Sequence, residues 1–189
     1  MRRRAAFWLA WSLAGVSLAM FATGVLFAFL TLNVADPMML PSSDWGVAGA
    51  IGGILLFLPF LAFPIVGALI ASKRPRNPIG WICLIVGLFW MFIVLSDRST
   101  AYSLARSGSV GGPVMLDAVA QSIWVPPLGL LGTFMVMLFP DGRLPSRRWR
   151  PLAWASGTVI LSASVALDLA PGPLPNRGGV RNPLGIEHL

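Results

Sequence analysis

Long apolar runs alternate with short basic clusters along this chain, and this alternation restricts the fold more than any other feature. Ten of the fourteen Lys and Arg residues form three clusters, each at the end of an apolar run: Arg2, Arg3 and Arg4; Lys73, Arg74 and Arg76; and Arg143, Arg147, Arg148 and Arg150. A helix needs about 20 apolar residues to cross a bilayer core. We predict membrane-spanning helices at about 5–32, 47–71, 79–95, 119–138 and 152–169.

Composition agrees with this prediction. The chain is 56% hydrophobic and 11% charged, with a mean hydropathy of +0.77, whereas about a quarter of a soluble domain is charged. Backbone polar groups in lipid must be paired internally, and the alternation typical of a barrel is absent. We therefore predict an all-α integral membrane protein, with a bundle of five transmembrane helices in residues 1–170 and a Pro- and Gly-rich tail at 171–189. The first run is too long for a signal peptide and is interpreted as a retained anchor.

The charges orient the predicted helices. With a cytoplasmic N-terminus, the inside segments hold ten basic residues and one acid, Asp141, whereas the outside segments hold four basic residues and six acids. This distribution obeys the positive-inside rule at every loop. We predict that the N-terminus is cytoplasmic and that the tail, after five crossings, lies outside.

The basic clusters also suggest a partner. Together with Trp149, they are predicted to contact anionic lipid head groups of the cytoplasmic leaflet. A pI of about 11.5 would also suit nucleic acid, but no soluble basic face is expected to carry such an interaction, and we predict no nucleic-acid partner. A contact surface for a cytoplasmic domain is the other interpretation of the cluster at 143–150.

One short motif occurs twice. Asn77-Pro78-Ile79-Gly80-Trp81 precedes the third predicted span, with Asn as a helix N-cap and Pro at the first helical position. The second copy, Asn182-Pro183-Leu184-Gly185-Ile186, predicts that a sixth helix begins near the end of the sequence. Only six residues follow Pro183, so we expect a part or a truncated copy of a longer membrane protein. A complete small protein is the alternative.

Two pairs of prolines lie inside predicted spans. Pro59 and Pro64 fall in the second span, and Pro126 and Pro127 fall in the fourth. Prolines bend membrane helices. Such a bend either forms a hinge or a cavity, or is a static feature of helix packing.

The residues suggest no active site. The single histidine, His188, is near the end of the sequence, and the single cysteine, Cys83, lies in an apolar run. We predict no catalytic residue, no metal site and no cofactor. The spans hold no carboxylate near their middle, which disfavours a transporter or pump. The segment 96–118 is predicted to be an outer loop, with room for a short interfacial helix at 102–106 before a Gly-rich break at 108–112. It is either a structural connector or a place to sense an external signal.

Three stretches together resemble the N-terminal membrane region of a group of bacterial sensor histidine kinases common in actinobacteria and related lineages. They are Val66–Trp81, Leu138–Ser146 with its following Arg/Trp cluster, and Asn182–Glu187. They occur in the order found in the family and span most of the chain. The resemblance implies a multi-helix input region in the bacterial cell membrane, followed by another span and by dimerisation and ATP-binding kinase domains. This sequence lacks those later segments, so no catalytic residue is carried over.

The expected function is therefore the membrane-embedded input region of a two-component sensor histidine kinase, without catalytic activity of its own. The resemblance also implies a homodimer or a kinase partner. One alternative is a small self-contained integral membrane protein with a structural or partner-binding role. Another is a transporter or membrane enzyme, which the lack of charge near the middle of the spans disfavours.

Overall fold

The computed structural model describes residues 3–31, 46–107, 113–174 and 181–186, and this part of the chain is helical with no β-strand. Eight α-helices are assigned within it: α1 (Arg3–Leu30), α2 (Gly46–Phe57), α3 (Ala62–Lys73), α4 (Pro78–Ser107), α5 (Pro113–Ala120), α6 (Val125–Gly129), α7 (Val136–Leu138) and α8 (Arg150–Asp168). Two 3-10 turns (Leu58–Leu61 and Arg147–Trp149) and a π-helical segment (Leu130–Met135) join some of these helices. The all-α prediction is confirmed for these residues.

Five helical stretches of the described chain are long and apolar enough to cross a membrane: Arg3–Leu30, Ile51–Lys73, Pro78–Ser103, Ala118–Leu138 and Arg147–Asp168. Each corresponds to one of the five predicted spans, which confirms five apolar helices. Their outer surfaces are also apolar. Large hydrophobic side chains such as Trp8 (69% exposed) and Trp154 (79%) point away from the protein, on a scale that soluble monomers rarely show.

Helix α4, which corresponds to the third predicted span, is longer than predicted. The prediction ended this span at Leu95 and placed a loop from Ser96 with room for a short helix at 102–106. The loop was wrong for the first of these residues, because α4 has 30 residues and continues without a break to Ser107. Polar side chains beyond Leu95 fit a helix because they bond to its own backbone, as Thr100 Oγ1 does in donating to the Ser96 carbonyl at 3.0 Å. The Gly-rich break predicted at 108–112 lies outside the described residues.

The longer helix includes an ion pair, in which Arg98 Nε lies 3.7 Å from Asp97 Oδ2. Asp97 and Arg98 lie within the stretch Pro78–Ser103, and their side chains are only 23% and 15% exposed. Arg98 lies about 30 Å along α4 from Pro78, which is about the thickness of a bilayer core. Its guanidinium covers Gly53 of α2, where Nη2 is 2.9 Å from the position that a Cβ would take.

Helices α1, α3 and α4 form the tightly packed part of the protein. Gly67 of α3 touches the α4 backbone, and a Cβ at this residue would lie 2.7 Å from the Leu84 nitrogen. A Cβ on Gly80 of α4 would lie 2.7 Å from the Ala71 nitrogen. The buried residues of α1 are small and recur every three to seven positions: Ala6, Ala10, Ala14, Ser17, Gly24 and Ala28. Small residues at such contacts let membrane helices approach closely.

The prolines of the second span have different surroundings. Pro59 lies in the 3-10 turn that separates α2 from α3. Pro64 is buried in α3, and its ring lies directly against Gly87 of α4, where a Cβ would be 2.8 Å from the proline nitrogen. Pro64 is thus a packing residue in this structure.

The fourth span is not one continuous α-helix. A turn at 121–124 precedes α6, in which Pro126 and Pro127 lie. The π-helical segment follows directly, and Thr133 Oγ1 donates to the Gly129 carbonyl at 2.6 Å. A regular α-helix therefore does not run through the whole span, and a proline lacks the N–H that such a helix needs.

Helix α8 is attached to the rest of the protein along one narrow face. A Cβ on Gly129 of α6 would lie 2.5 Å from Ile160 Cδ1, and Phe134 lies 3.7 Å from the corresponding position on Gly157. No residue of α8 is buried. Most of its surface is therefore left for lipid or for other protein.

The described part of the tail folds back over the end of α8. Asn182 Nδ2 donates to the carbonyls of Asp168 (2.8 Å) and Ala170 (3.0 Å), and the Leu184 N–H donates to Asn182 Oδ1 at 3.0 Å. Residues 183 and 184 form a turn, the predicted helix does not begin within 181–186, and 187–189 lie outside the described residues. The side chain of Asn182 caps the end of α8 because the last carbonyls of a helix have no partner within it.

Candidate functional site

The predicted basic residues lie at the ends of helices and are exposed to the surroundings. Nine of them are described: Arg3, Arg4, Lys73, Arg74, Arg76, Arg143, Arg147, Arg148 and Arg150. Trp149, in the same group, is 41% exposed. Arg2 lies outside the described residues. We call the surface formed by these nine cations and Trp149 the basic face.

The short link between α3 and α4 carries the second basic cluster and is held by hydrogen bonds. The Arg74 N–H donates to the Ile70 carbonyl at 2.7 Å, and the Asn77 N–H donates to the Arg74 carbonyl at 2.9 Å. Asn77 Oδ1 accepts from the Ile79 N–H at 3.0 Å, which confirms the predicted N-cap of α4. Trp81 Nε1 donates to the Pro75 carbonyl at 3.0 Å. These bonds hold the link between α3 and α4 in one conformation.

The turn that carries Arg143 docks on this link. Gly142 has a φ of +71°, which favours glycine, and its N–H donates to the Leu138 carbonyl at 2.6 Å. A Cβ on Gly142 would meet the side chain of Asn77 and would lie 2.7 Å from Pro78 Cδ. The second and third basic clusters are therefore neighbours in space, although about 65 residues separate them in the sequence.

The first cluster lies at the same end of the protein. Ala10 of α1 packs in one buried cluster with Ala71 at the end of α3 and with Trp81 at the beginning of α4. Arg3 and Arg4 precede Ala10 by about two helical turns. The structure thus brings the three predicted clusters together at one end of the helices.

Charge at this end is strongly unbalanced. Against the nine described cations stands a single described carboxylate, that of Asp141. Within the described part of the chain, Asp141 forms no ion pair with any of them. Repulsion between so many like charges is relieved by salt or by a partner that supplies negative charge.

A cavity of about 580 Å³ opens beside the docked turn. Five residues line it: Phe139, Asp141, Arg143, Leu144 and Pro145. Its lining is thus mixed: Asp141 and Arg143 supply one negative and one positive side chain, and Phe139, Leu144 and Pro145 supply apolar surface. The sequence analysis named Arg143 as a contact residue but did not identify Asp141 or Phe139, because only folding of the turn places them around one space.

Away from the basic face, three buried polar atoms in the described part of the chain have no hydrogen-bond partner. Among the described residues, Trp90 Nε1, Gln121 Oε1 and Asp168 Oδ1 are buried without a hydrogen-bond partner. A second, smaller cavity of about 10 Å³ lies between α1, α2 and α4 beside Arg98. It has room for about one water molecule.

In the described part of the chain, no three His, Cys, Asp or Glu side chains come close enough to bind a metal ion. No protein-family model matches the sequence, and neither characterised proteins nor solved structures give a match. The fold and the basic face define an all-helical protein with five helices able to cross a membrane.

Proposed function

We propose that this chain is a five-span integral protein of the bacterial plasma membrane, with its N-terminus in the cytoplasm and its tail outside. The convergence of the three basic clusters at one end supports this orientation, since positive charge concentrates on the cytoplasmic side. The apolar outer surfaces of the helices would then contact lipid. The basic face would contact the anionic head groups of the inner leaflet.

Within this membrane, we propose that the chain serves as the input region of a two-component sensor histidine kinase, without catalytic activity of its own. Support comes from two of the stretches that carry the resemblance, Val66–Trp81 and Leu138–Ser146. They contact each other through Gly142 and Asn77. Two stretches that a family keeps together for one function are expected to lie in contact in the folded protein.

The packing suggests how such a region would pass on a signal. Helix α4 runs without a break from Pro78, next to its cap Asn77, past Arg98 to Ser107. Backbone contacts at Gly67 and Gly80 fix it to α3, so these helices would move as one body. Helix α8, which has no buried residue, would be the element free to shift against them.

The orientation is testable with single cysteines. In a Cys83→Ser background, Ser146→Cys and Pro171→Cys each introduce one thiol at an exposed position at opposite ends of the last span. We expect a membrane-impermeant maleimide to label Pro171→Cys in intact cells, and to label Ser146→Cys only after the membrane is opened. Cys83→Ser alone is the unlabelled control. The reverse pattern would overturn the proposed orientation.

The kinase role is tested by the DNA that follows the Leu189 codon in the source genome. We expect a reading frame for a further span and for kinase domains, or a kinase gene directly adjacent. Unrelated neighbouring genes, together with stable accumulation of the chain when expressed alone, would contradict this role. That result would favour the self-contained membrane protein.

A further inference from the structure

We propose that the cavity beside the turn at 139–145 binds the head group of a phosphatidylethanolamine, with its phosphate on Arg143 and its ammonium on Asp141. The proposal rests on the membrane orientation given above, and it adds a specific lipid to the general contact with anionic head groups. The volume of about 580 Å³ lies within the usual range of small-molecule sites.

One negative and one positive side chain in the same cavity favour a zwitterionic ligand. Asp141 and Arg143 both line the cavity and both are exposed, and no ion pair joins them in the described structure. A purely anionic head group would pair with the guanidinium of Arg143 but would be repelled by the carboxylate of Asp141. A head group with an anionic phosphate and a primary ammonium pairs with both side chains. Charge-assisted hydrogen bonds of this kind are the stronger ones.

The exposed apolar side chains beside the two charges favour a lipid over a soluble zwitterion. Phe139 is 73% exposed and lines the cavity together with Leu144 and Pro145. A phenyl ring exposed in this way is stabilised where acyl chains meet head groups, as aromatic side chains generally are. The cavity therefore offers apolar contact for the glycerol and acyl part of a lipid beside its charged groups.

The turn is held in place before any lipid arrives. Gly142 docks on Asn77 and Pro78, and its N–H bonds to the Leu138 carbonyl. Asn77 is in turn fixed as the cap of α4. A site whose walls are already ordered loses little conformational entropy on binding.

The test uses the purified, delipidated chain in detergent and counts retained lipids by native mass spectrometry. Phosphatidylethanolamine, phosphatidylcholine and phosphatidylglycerol with identical acyl chains are compared. We expect phosphatidylethanolamine to be retained about fivefold better than the other two, since choline has no N–H and glycerol has no charge to pair with Asp141. Asp141→Asn should abolish this preference, and Arg143→Gln should lower retention of both phosphatidylethanolamine and phosphatidylglycerol.

Arg148→Gln is the matched control, because it removes the same charge from the basic face at an exposed position outside the cavity. Because Arg148 belongs to the basic face, its loss is expected to lower retention of anionic phosphatidylglycerol, but it should leave the ratio of phosphatidylethanolamine to phosphatidylcholine unchanged. Equal preferences in the parent chain and in Asp141→Asn would overturn the proposal. Binding of soluble phosphoethanolamine as tight as that of the lipid would overturn the lipid assignment. A reversed labelling pattern in intact cells would instead refute the proposed orientation, whatever the lipid preference.

Discussion

Gly67→Ala is expected to destabilise the folded protein by about 3 kcal/mol, at the upper end of the usual cost of overpacking. The added methyl group would lie 2.7 Å from the Leu84 nitrogen and 2.8 Å from the Gly80 carbonyl oxygen. Both are backbone atoms of α4, so no side chain can turn away to make room. The helices would have to separate along the seam that holds α1, α3 and α4 together. Unfolding in mixed micelles with increasing dodecyl sulfate measures the free energy.

Gly15→Ala provides the matched control for this prediction. Gly15 also lies inside a helix, but nothing lies within 4 Å of the position that its Cβ would take. Alanine favours a helix over glycine by up to about 1 kcal/mol, so this variant should be as stable as the parent or slightly more stable. Similar losses for both variants would mean that glycine itself is required in these helices. The close contact between α3 and α4 would then not be the cause.

Gly142→Ala is expected to release the turn at 138–146 from the link at 74–77. An alanine at a φ of +71° costs about 1–2 kcal/mol, and its methyl group would collide with Asn77 and Pro78. Hydrogen exchange should therefore rise at least about tenfold in both segments, since a loss of 1.4 kcal/mol corresponds to one factor of ten. Retention of phosphatidylethanolamine should fall as well, because the cavity wall would no longer be fixed.

Two variants separate the backbone effect from the docking contact. Gly172→Ala also places alanine at a positive φ, of +117°, but nothing lies within 4 Å of the new methyl group. It should raise hydrogen exchange only in the tail residues near position 172. Asn77→Ala leaves the turn residue unchanged and removes both its docking partner and the cap of α4, at a cost of about 1 kcal/mol. If Gly142→Ala left exchange at 74–77 unchanged, the two loops would be independent.

Much of the helical plan was predictable from local sequence. The apolar runs predicted all five helices, because length and hydropathy alone decide whether a helix can cross a membrane. The cap at Asn77 was also predictable, since it depends on residues two positions apart. The end of α4 was not. Ser96 and Thr100 look like loop residues, and only their bonds within the helix and the stacking of Tyr102 on Phe27 (5.1 Å between ring centroids) show otherwise.

The candidate site was predictable only in part. Its cations were identified by counting charges along the sequence. Such a count predicts which residues lie at the exposed ends of the helices, but not which of these residues are neighbours in space. Asp141 was noted in the sequence only as the one acid among the inside segments. Its place in a cavity with Arg143 and Phe139 depends on how the turn folds.

The sequence by itself determined the number of apolar helices, the positions of the basic clusters and the local cap at Asn77, because these features depend on composition and on near neighbours in the chain. Tertiary structure alone decided that α1, α3 and α4 pack through glycine and alanine, and that the Gly142 turn docks on Asn77. Such contacts join residues far apart in the sequence. They depend on shape complementarity at distances of a few ångströms, which no local pattern encodes.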